Sequence, residues 1–297
     1  MICGGSLPGS FRRHAPGFGS AFSARPGNAI PRPGKTLKRL IKAWSARFRG
    51  RGHLVRRRRT IERQTDSFNQ PPADSPTGYR SQVGQDRFIN EQLFQGWRDG
   101  VFVDIGAYDG VLFSNSCYFE RNLGWTGLCV EPNPAVFARL VKNRACQCAN
   151  VCVADFNGTA KFLQFADAEM FSGLAHSFSP REKQRIETEV LAGGGRQQEL
   201  VVPCVAAADL FREHGISRID YLSIDTEGMD FTILKVIDLS RFEIDVISIE
   251  NNYFALGYQI MDYLDQRGYD LVGVVGDEIY RRRRSTPGSP PVSEKRG

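Results

Sequence analysis

A chain of 297 residues with 41% apolar and 24% charged residues suits a soluble globular protein with one substantial core. No stretch reaches the roughly 18–20 uninterrupted apolar residues of a membrane span, which excludes an integral membrane protein. The net charge of +6 hides a segregation: residues 1–80 hold 17 Lys and Arg against three acids, residues 81–280 hold 16 against 29, and the tail from Arg281 holds six against Glu294.

The first 35 residues are rich in Gly, Pro, Ser and Arg, without apolar periodicity or an acid. They cannot bury enough surface to offset chain entropy and are expected to be disordered. The composition also fits a transit peptide, but not a secretory signal. Leu37, Leu40, Ile41, Trp44 and Phe48 then share one face of a basic amphipathic helix near 36–49. Such a helix suits an anionic lipid surface or a partner, and equally the protein's own body. The arginine runs at 56–59 and 281–284 read as solvated charge. Residues 1–80 are therefore expected to form a basic, largely disordered arm, and 281–297 a disordered basic tail. The linker Asn69–Tyr79 leads into a folded domain over 81–280, opened by an amphipathic helix with Val83, Phe88, Ile89, Leu93 and Phe94 turned inward.

Short apolar runs at 101–105, 127–131, 150–154, 219–224, 244–250 and 271–275 alternate with helical patterns such as "NPAVFARLVKNR", "FTILKVI" and "LGYQIMDYLDQRG". That alternation predicts an α/β fold: a doubly wound, mostly parallel sheet with helices on both faces. "TAKFLQF" and "QELVVPCV" read as further strands around an insert at 166–198. Within it "SPRE" (179–182) is a capping box that starts a polar helix, and His176 is the imidazole of the insert. The seven cysteines include the crowded Cys146, Cys148 and Cys152. No His follows at finger spacing, so these read as reduced, buried thiols at a helix–strand junction rather than zinc ligands.

Ligands of such a sheet bind beyond the carboxyl ends of the strands, where the winding reverses. Here the strands end at Asp104, Glu131, Asp155, Asp225 with Glu227, and Glu250. There is no phosphate loop of the GxxxxGK[ST] type. The turn "DIGAYDG" (104–110), followed by Glu131, has the spacing of a dinucleotide site. A carboxylate at Asp104 would nevertheless face a pyrophosphate, and the middle glycine is replaced by Tyr108. A sulfonium cofactor without phosphate, S-adenosylmethionine, meets both objections: carboxylates attract its cations, and Glu131 suits its ribose.

The motifs "SQVGQD", "FVDIGAYDG", "SN" (114–115), "GWTGLCVEPNP", "NVCVAD", "LSIDTEG" and "ISIEN" occur in an order that resembles the FkbM family of S-adenosylmethionine-dependent methyltransferases, over residues 81 to about 275. The resemblance implies a class I, Rossmann-like enzyme methylating a hydroxyl on a sugar, glycan or secondary metabolite. It further implies cofactor contacts from Asp104, Gly106, Ala107, Tyr108, Asp109, Gly110, Asn115, Glu131, Pro132, Ala154 and Asp155. Gly106 would let backbone approach the ligand, and Gly110 would let the following helix pack on the strand. Asp225, Glu227 and Glu250 are the candidate catalytic carboxylates, with Asp225 or Glu227 as base. No metal is assigned, although Asp225, Glu250 and Asn251 also resemble the magnesium ligands of catechol-type methyltransferases. Two other classes remain open: a nicotinamide-dependent oxidoreductase, and a non-catalytic binding module tethered by its basic arm. The expected partners are a small-molecule or glycan hydroxyl acceptor, no nucleic acid at the active site, and peripheral membrane contact through the arm. The expected location is cytoplasmic.

Overall fold

The computed structural model describes residues 53–283, apart from 71–76, 167, 179, 227, 252 and 253. A helix over 53–65 (α1) is followed by α2 (Gln85–Phe88), which runs on as a π-helical turn to Phe94. Then come β1 (Val101–Ile105), α3 (Cys117–Leu123), β2 (Thr126–Val130), α4 (Pro134–Asn143), β3 (Gln147–Ala149), β4 (Cys152–Ala154), β5 (Gly158–Phe165) and β6 (Gly173–Leu174). The remainder is α5 (Pro180–Ile186), β7 (Gln197–Ala206), α6 (Ala207–Glu213), β8 (Arg218–Ile224), α7 (Asp230–Val236), β9 (Glu243–Ile249), α8 (Phe254–Asp265), β10 (Tyr269–Val275) and β11 (Asp277–Arg282).

The main sheet has the order β3-β2-β1-β8-β9-β11-β10. β1, β2, β3, β8 and β9 are parallel, and β11 runs antiparallel between β9 and β10. The chain leaves β1 outward in one direction through β2 and β3, and later in the other through β8 and β9. Period-two alternation explains why both faces are covered. Val103, Ile105, Leu222, Ile224 and Ile247 join one core with residues of α6, α7 and α8. Phe102, Tyr221, Val246 and Ile279 join the other with Phe88, Ile89, Phe94, Phe119, Trp125 and Leu140.

Two departures from the sequence reading have local causes. The run 150–154 is not one strand of the main sheet: β3 pairs with β2, whereas β4 belongs to a separate four-stranded sheet, β4-β7-β5-β6. Asn150 marks the break, its Nδ2 donating to the carbonyls of Glu131 and Pro132. β11 went unrecognised because it opens on two acids and ends on two arginines. Asp277–Tyr280 is buried there as the strand inserts between its neighbours. The predicted amphipathic helix at 36–49 and Ser179 of the capping box lie outside the described residues.

The folded body also extends past the expected limits of 81–280. Arg58 of α1 donates to buried Glu278 at 2.6 Å, and the Thr65 hydroxyl bonds to Val274. Arg57 pairs with Asp270, while Arg283 pairs with Asp265 and Asp270. Parts of both arginine runs are thus structural partners of acids on the body rather than solvated charge. Removing Arg58 would strand Glu278, whose side chain is fully buried. Arg58→Met should therefore lower stability by about 3 kcal/mol in chemical denaturation, whereas Arg59→Met, on the exposed side, should change it by under about 0.5 kcal/mol.

Candidate functional site

The carboxyl ends of β1, β2 and β8 open onto one cleft that holds about 980 Å³ of empty space, part of it continuous with solvent. Its floor is the segment Asp104–Tyr108, its walls are Val130–Pro132 and Val151–Val153, and Asp225 and Thr226 close the far side. Glu169, Met170 and Leu174 of the insert roof it.

The glycine turn works differently from the simple strand-to-helix turn expected. Gly106 has φ +89°, and a Cβ there would stand 1.7 Å from the Asp225 carbonyl oxygen. The space a side chain would need at this glycine is taken by the chain just past the end of β8. Gly110 has φ +79°, and a Cβ there would meet Leu140 and Arg144 at 2.6 Å, so it receives α4 rather than the helix that follows it. That helix, α3, begins only at Cys117, leaving a loop over 106–116.

Arg144, just past α4, secures this loop. Its side chain is wholly buried and ion-paired to Glu120 of α3. One guanidinium nitrogen donates to Gly110 O at 3.2 Å, Ser114 Oγ at 3.3 Å and Ser116 Oγ at 3.1 Å. Ser116 in turn donates to Asp104 at 2.5 Å. Burial raises the pKa of Asp104, and the Ser116 bond and the charge of Arg144 oppose that rise. Asp109 accepts from the backbone of Val111 and Leu112 at 2.9 and 2.8 Å, which shapes the loop from outside the cleft.

Asn115 lines the cleft. Its Nδ2 donates to Ser223 Oγ and Asp277 Oδ2, while its Oδ1 is buried without a partner. Glu131 accepts from Asn133 N at 2.7 Å and from the Tyr108 backbone. Burial first, with Glu169 adding repulsion, pushes its pKa up to about 7. Tyr108, held at φ +49°, donates its hydroxyl to Glu169 at 3.0 Å. Arg139 of α4 pairs with the same carboxylate and lies over the tyrosine ring.

Asp104, Gly106, Ala107, Tyr108, Asn115, Glu131, Pro132 and Asp225 therefore meet at one cleft. Asp109 and Gly110 support it without lining it. Ala154 is buried within β4 and Asp155 is exposed beyond it, and the wall at this strand is formed by Val151, Cys152 and Val153. Glu250 ends β9 at the neighbouring strand position, its N–H on Ile224 O, and does not line the cleft. Glu227 lies outside the described residues. Among the described residues no three His, Cys, Asp or Glu side chains gather as metal ligands, Asp225 and Glu250 included. His176 is exposed and off the cleft.

Sequence reasoning missed the Arg139–Glu169 pair, whose members are 30 residues apart and carry no motif. It also missed Asp277, at the start of the unrecognised β11. The motif "SQVGQD" proves to be a local scaffold: Asp86 accepts from Arg80 N, Ser81 N and Ser81 Oγ, and Ser81 bridges to Phe113 on the cleft rim.

The structure is an α/β domain with a large, mostly parallel sheet and an acidic cleft at the carboxyl ends of its central strands. The FkbM methyltransferase domain matches residues 104–271, from the end of β1 into β10 and over half of the chain. The chain belongs to this family and at that level is a methyltransferase. No curated protein matches it. No helix among the described residues is long and apolar enough to cross a membrane.

The raised pKa of Glu131 has a signed consequence. Between the ordinary carboxylate value of 4.5 and about 7, the folded protein binds the proton that the unfolded chain has released. Stability from this group is full below 4.5 and falls as pH rises to about 7, by at most roughly 3 kcal/mol. Glu131→Gln should flatten that part of the stability profile. Parallel profiles for the two proteins would show an ordinary carboxyl at 131.

Proposed function

We propose that the protein is a class I, S-adenosylmethionine-dependent O-methyltransferase. The strand order about β1 supports the doubly wound arrangement this requires. One observation carries the cofactor reading. The cleft at the reversal point presents four carboxylates, Asp104, Glu131, Glu169 and Asp225, and no Lys, Arg or His lines it among the described residues. Such a site repels a pyrophosphate, which disfavours a nicotinamide cofactor, and attracts a ligand carrying an ammonium and a sulfonium.

The residues present fit that ligand. Glu131, at the end of β2, would take the ribose hydroxyls. The unpartnered Oδ1 of Asn115 needs a donor, which an ammonium provides. S-adenosylmethionine supplies, when bound, a methyl group already activated by its sulfonium. What the chain adds is alignment and a proton acceptor. Asp225 is the proposed base, because it lines the cleft and its backbone is locked against Gly106. Glu227 shares that proposal as the alternative carboxylate of the same loop. Asp230, which starts α7, accepts from Thr226 N at 2.8 Å and Gly228 N at 3.1 Å, and so fixes this loop.

The absence of described basic residues at the cleft also disfavours phosphorylated or carboxylated acceptors. Leu112, Phe113 and Met170 are 47%, 41% and 38% exposed at its mouth and offer an apolar rim. The acceptor is accordingly proposed as an uncharged hydroxyl compound: a sugar, glycan or secondary metabolite with an apolar portion. Free thiols at all six described cysteines suit a cytoplasmic setting. Peripheral membrane contact through residues 36–49 remains part of the proposal.

Calorimetry should detect micromolar binding of S-adenosylhomocysteine. Glu131→Ala should weaken it at least about tenfold, roughly 1.4 kcal/mol. Asp225→Asn should retain binding within a few-fold while abolishing turnover. Absence of binding to the purified wild-type protein would end this reading.

A further inference from the structure

Three thiols sit away from the cleft, where β2 meets β3. Cys129 and Cys148 are partners across the two parallel strands, and Cys146 precedes β3. Cys146 Sγ lies 3.6 Å from Cys129 Sγ. Cys129 is fully buried, whereas Cys146 is half-buried and lines a surface groove with Thr126, Gly127, His214 and Arg218. Cys146 is therefore open to a small oxidant from this groove, whereas Cys129 exposes no surface. Cys146 also stands two positions after Arg144, whose buried charge favours a thiolate. The close approach of Cys129 first, then Cys148, together with that charge, holds its pKa well below the usual thiol range. Burial holds Cys129 above it.

We propose that Cys146 and Cys129 form a peroxide-reactive dithiol site, in which Cys146 is oxidised first and Cys129 resolves it to a disulfide. The Cys146 thiolate attacks one oxygen of hydrogen peroxide, the O–O bond breaks, and the departing hydroxide takes a proton to become water. The sulfenic acid so formed on Cys146 is attacked by the Cys129 sulfur. An S–S bond forms, the S–O bond breaks, and the leaving hydroxide carries away the Cys129 proton as a second water. Two thiols thereby supply the two electrons that reduce one peroxide. Sulfur separation must shrink from 3.6 Å to about 2.05 Å, a movement within reach of side-chain rotation and a small shift of residues 145–146.

That shift is connected to the cleft. The N–H groups of Ala145 and Cys146 donate to Glu120 Oε1 at 2.7 and 2.8 Å, and the other Glu120 oxygen holds Arg144. Arg144 in turn holds Gly110, Ser114 and Ser116 of the floor loop. Oxidation at the strand edge is transmitted along this chain and loosens residues 110–116.

The test treats the full-length protein with hydrogen peroxide and maps cross-links by peptide mass spectrometry before and after dithiothreitol. The wild type and Cys148→Ser should form a reversible Cys129–Cys146 disulfide. Cys146→Ser, with unchanged circular dichroism, should form none, and Cys129→Ser should stop at the sulfenic acid on Cys146. Hydrogen exchange at residues 110–116 should rise several-fold in the oxidised wild type. Failure of the wild type to cross-link, or linkage of Cys146 to Cys148 instead, would overturn the site. Unchanged exchange at 110–116 in fully oxidised protein would overturn its connection to the loop.

Discussion

A guanidinium taken out of water needs bonds on several sides, and Arg144 finds them through its Nε and one terminal nitrogen, the other being buried without a partner, in a way that organises the floor of the cleft. Its partners come from α3 through Glu120 and from the floor loop through Gly110, Ser114 and Ser116. Desolvating a lone charge of this size costs several kcal/mol, so these bonds form together or not at all. The loop over 106–116 has no helix of its own to stiffen it. Its conformation is imposed by the need to satisfy one buried cation. The same requirement aligns Ser116 with Asp104 and leaves Asn115 facing the cleft with one amide atom unbonded.

The cleft then inherits a second constraint, from carboxylates gathered in a low-dielectric place. Glu131 and Asp277 are both pushed to about 7, in each case by burial first. Asp277 is raised further by Asp230 and Asp104. Residues accumulated in this manner do not help the fold, because like charges resist burial. They are tolerated where a ligand of opposite sign offsets them, which is the usual relation between perturbed acids and a binding site. Arg139 pairs with Glu169 at the roof and partly offsets Glu131, and Arg144 and Ser116 partly offset Asp104, but burial still dominates at Asp104 and Glu131.

How much of this could be read beforehand depended on whether a feature was local. Strand ends and their acids follow from short, nearly continuous apolar runs that end at or beside Asp104, Glu131 and Asp225, and those three do share one cleft. Asn133 and Pro134, a cap and a first-turn proline, announce α4 within a few residues. Long-range pairings were silent. Arg58 meets Glu278 across 220 residues, so a run of four arginines looked solvated when one of them is the counter-ion of a buried acid. The glycines were recognised as special, but the atoms they admit belong to the Asp225 carbonyl and to α4, which only a folded chain brings there. Ala154 and Asp155 do not line the cleft for a related reason. The break at Asn150 moves the wall to Val151–Val153, and hydrophobic periodicity does not register such a break.

Gly106 links these threads. Its missing Cβ leaves room for the Asp225 carbonyl, so the floor loop and the loop after β8 are pressed together at backbone level. The N–H of Asp225 also donates to Ile105 O, which makes the contact a continuation of the β1–β8 ladder. Any side chain at 106 would separate the two loops by more than an ångström, and the carboxylate at 225 would move with its backbone. A misplacement of about 1 Å between reacting groups can cost roughly a hundredfold in rate. The glycine therefore acts less as a doorway for a ligand than as the hinge pin that fixes one candidate base relative to the floor on which a cofactor would lie. A tyrosine can follow at 108 because the turn's demand for glycine is spent at 106 and 110, leaving position 108 to reach upward and bond the roof at Glu169.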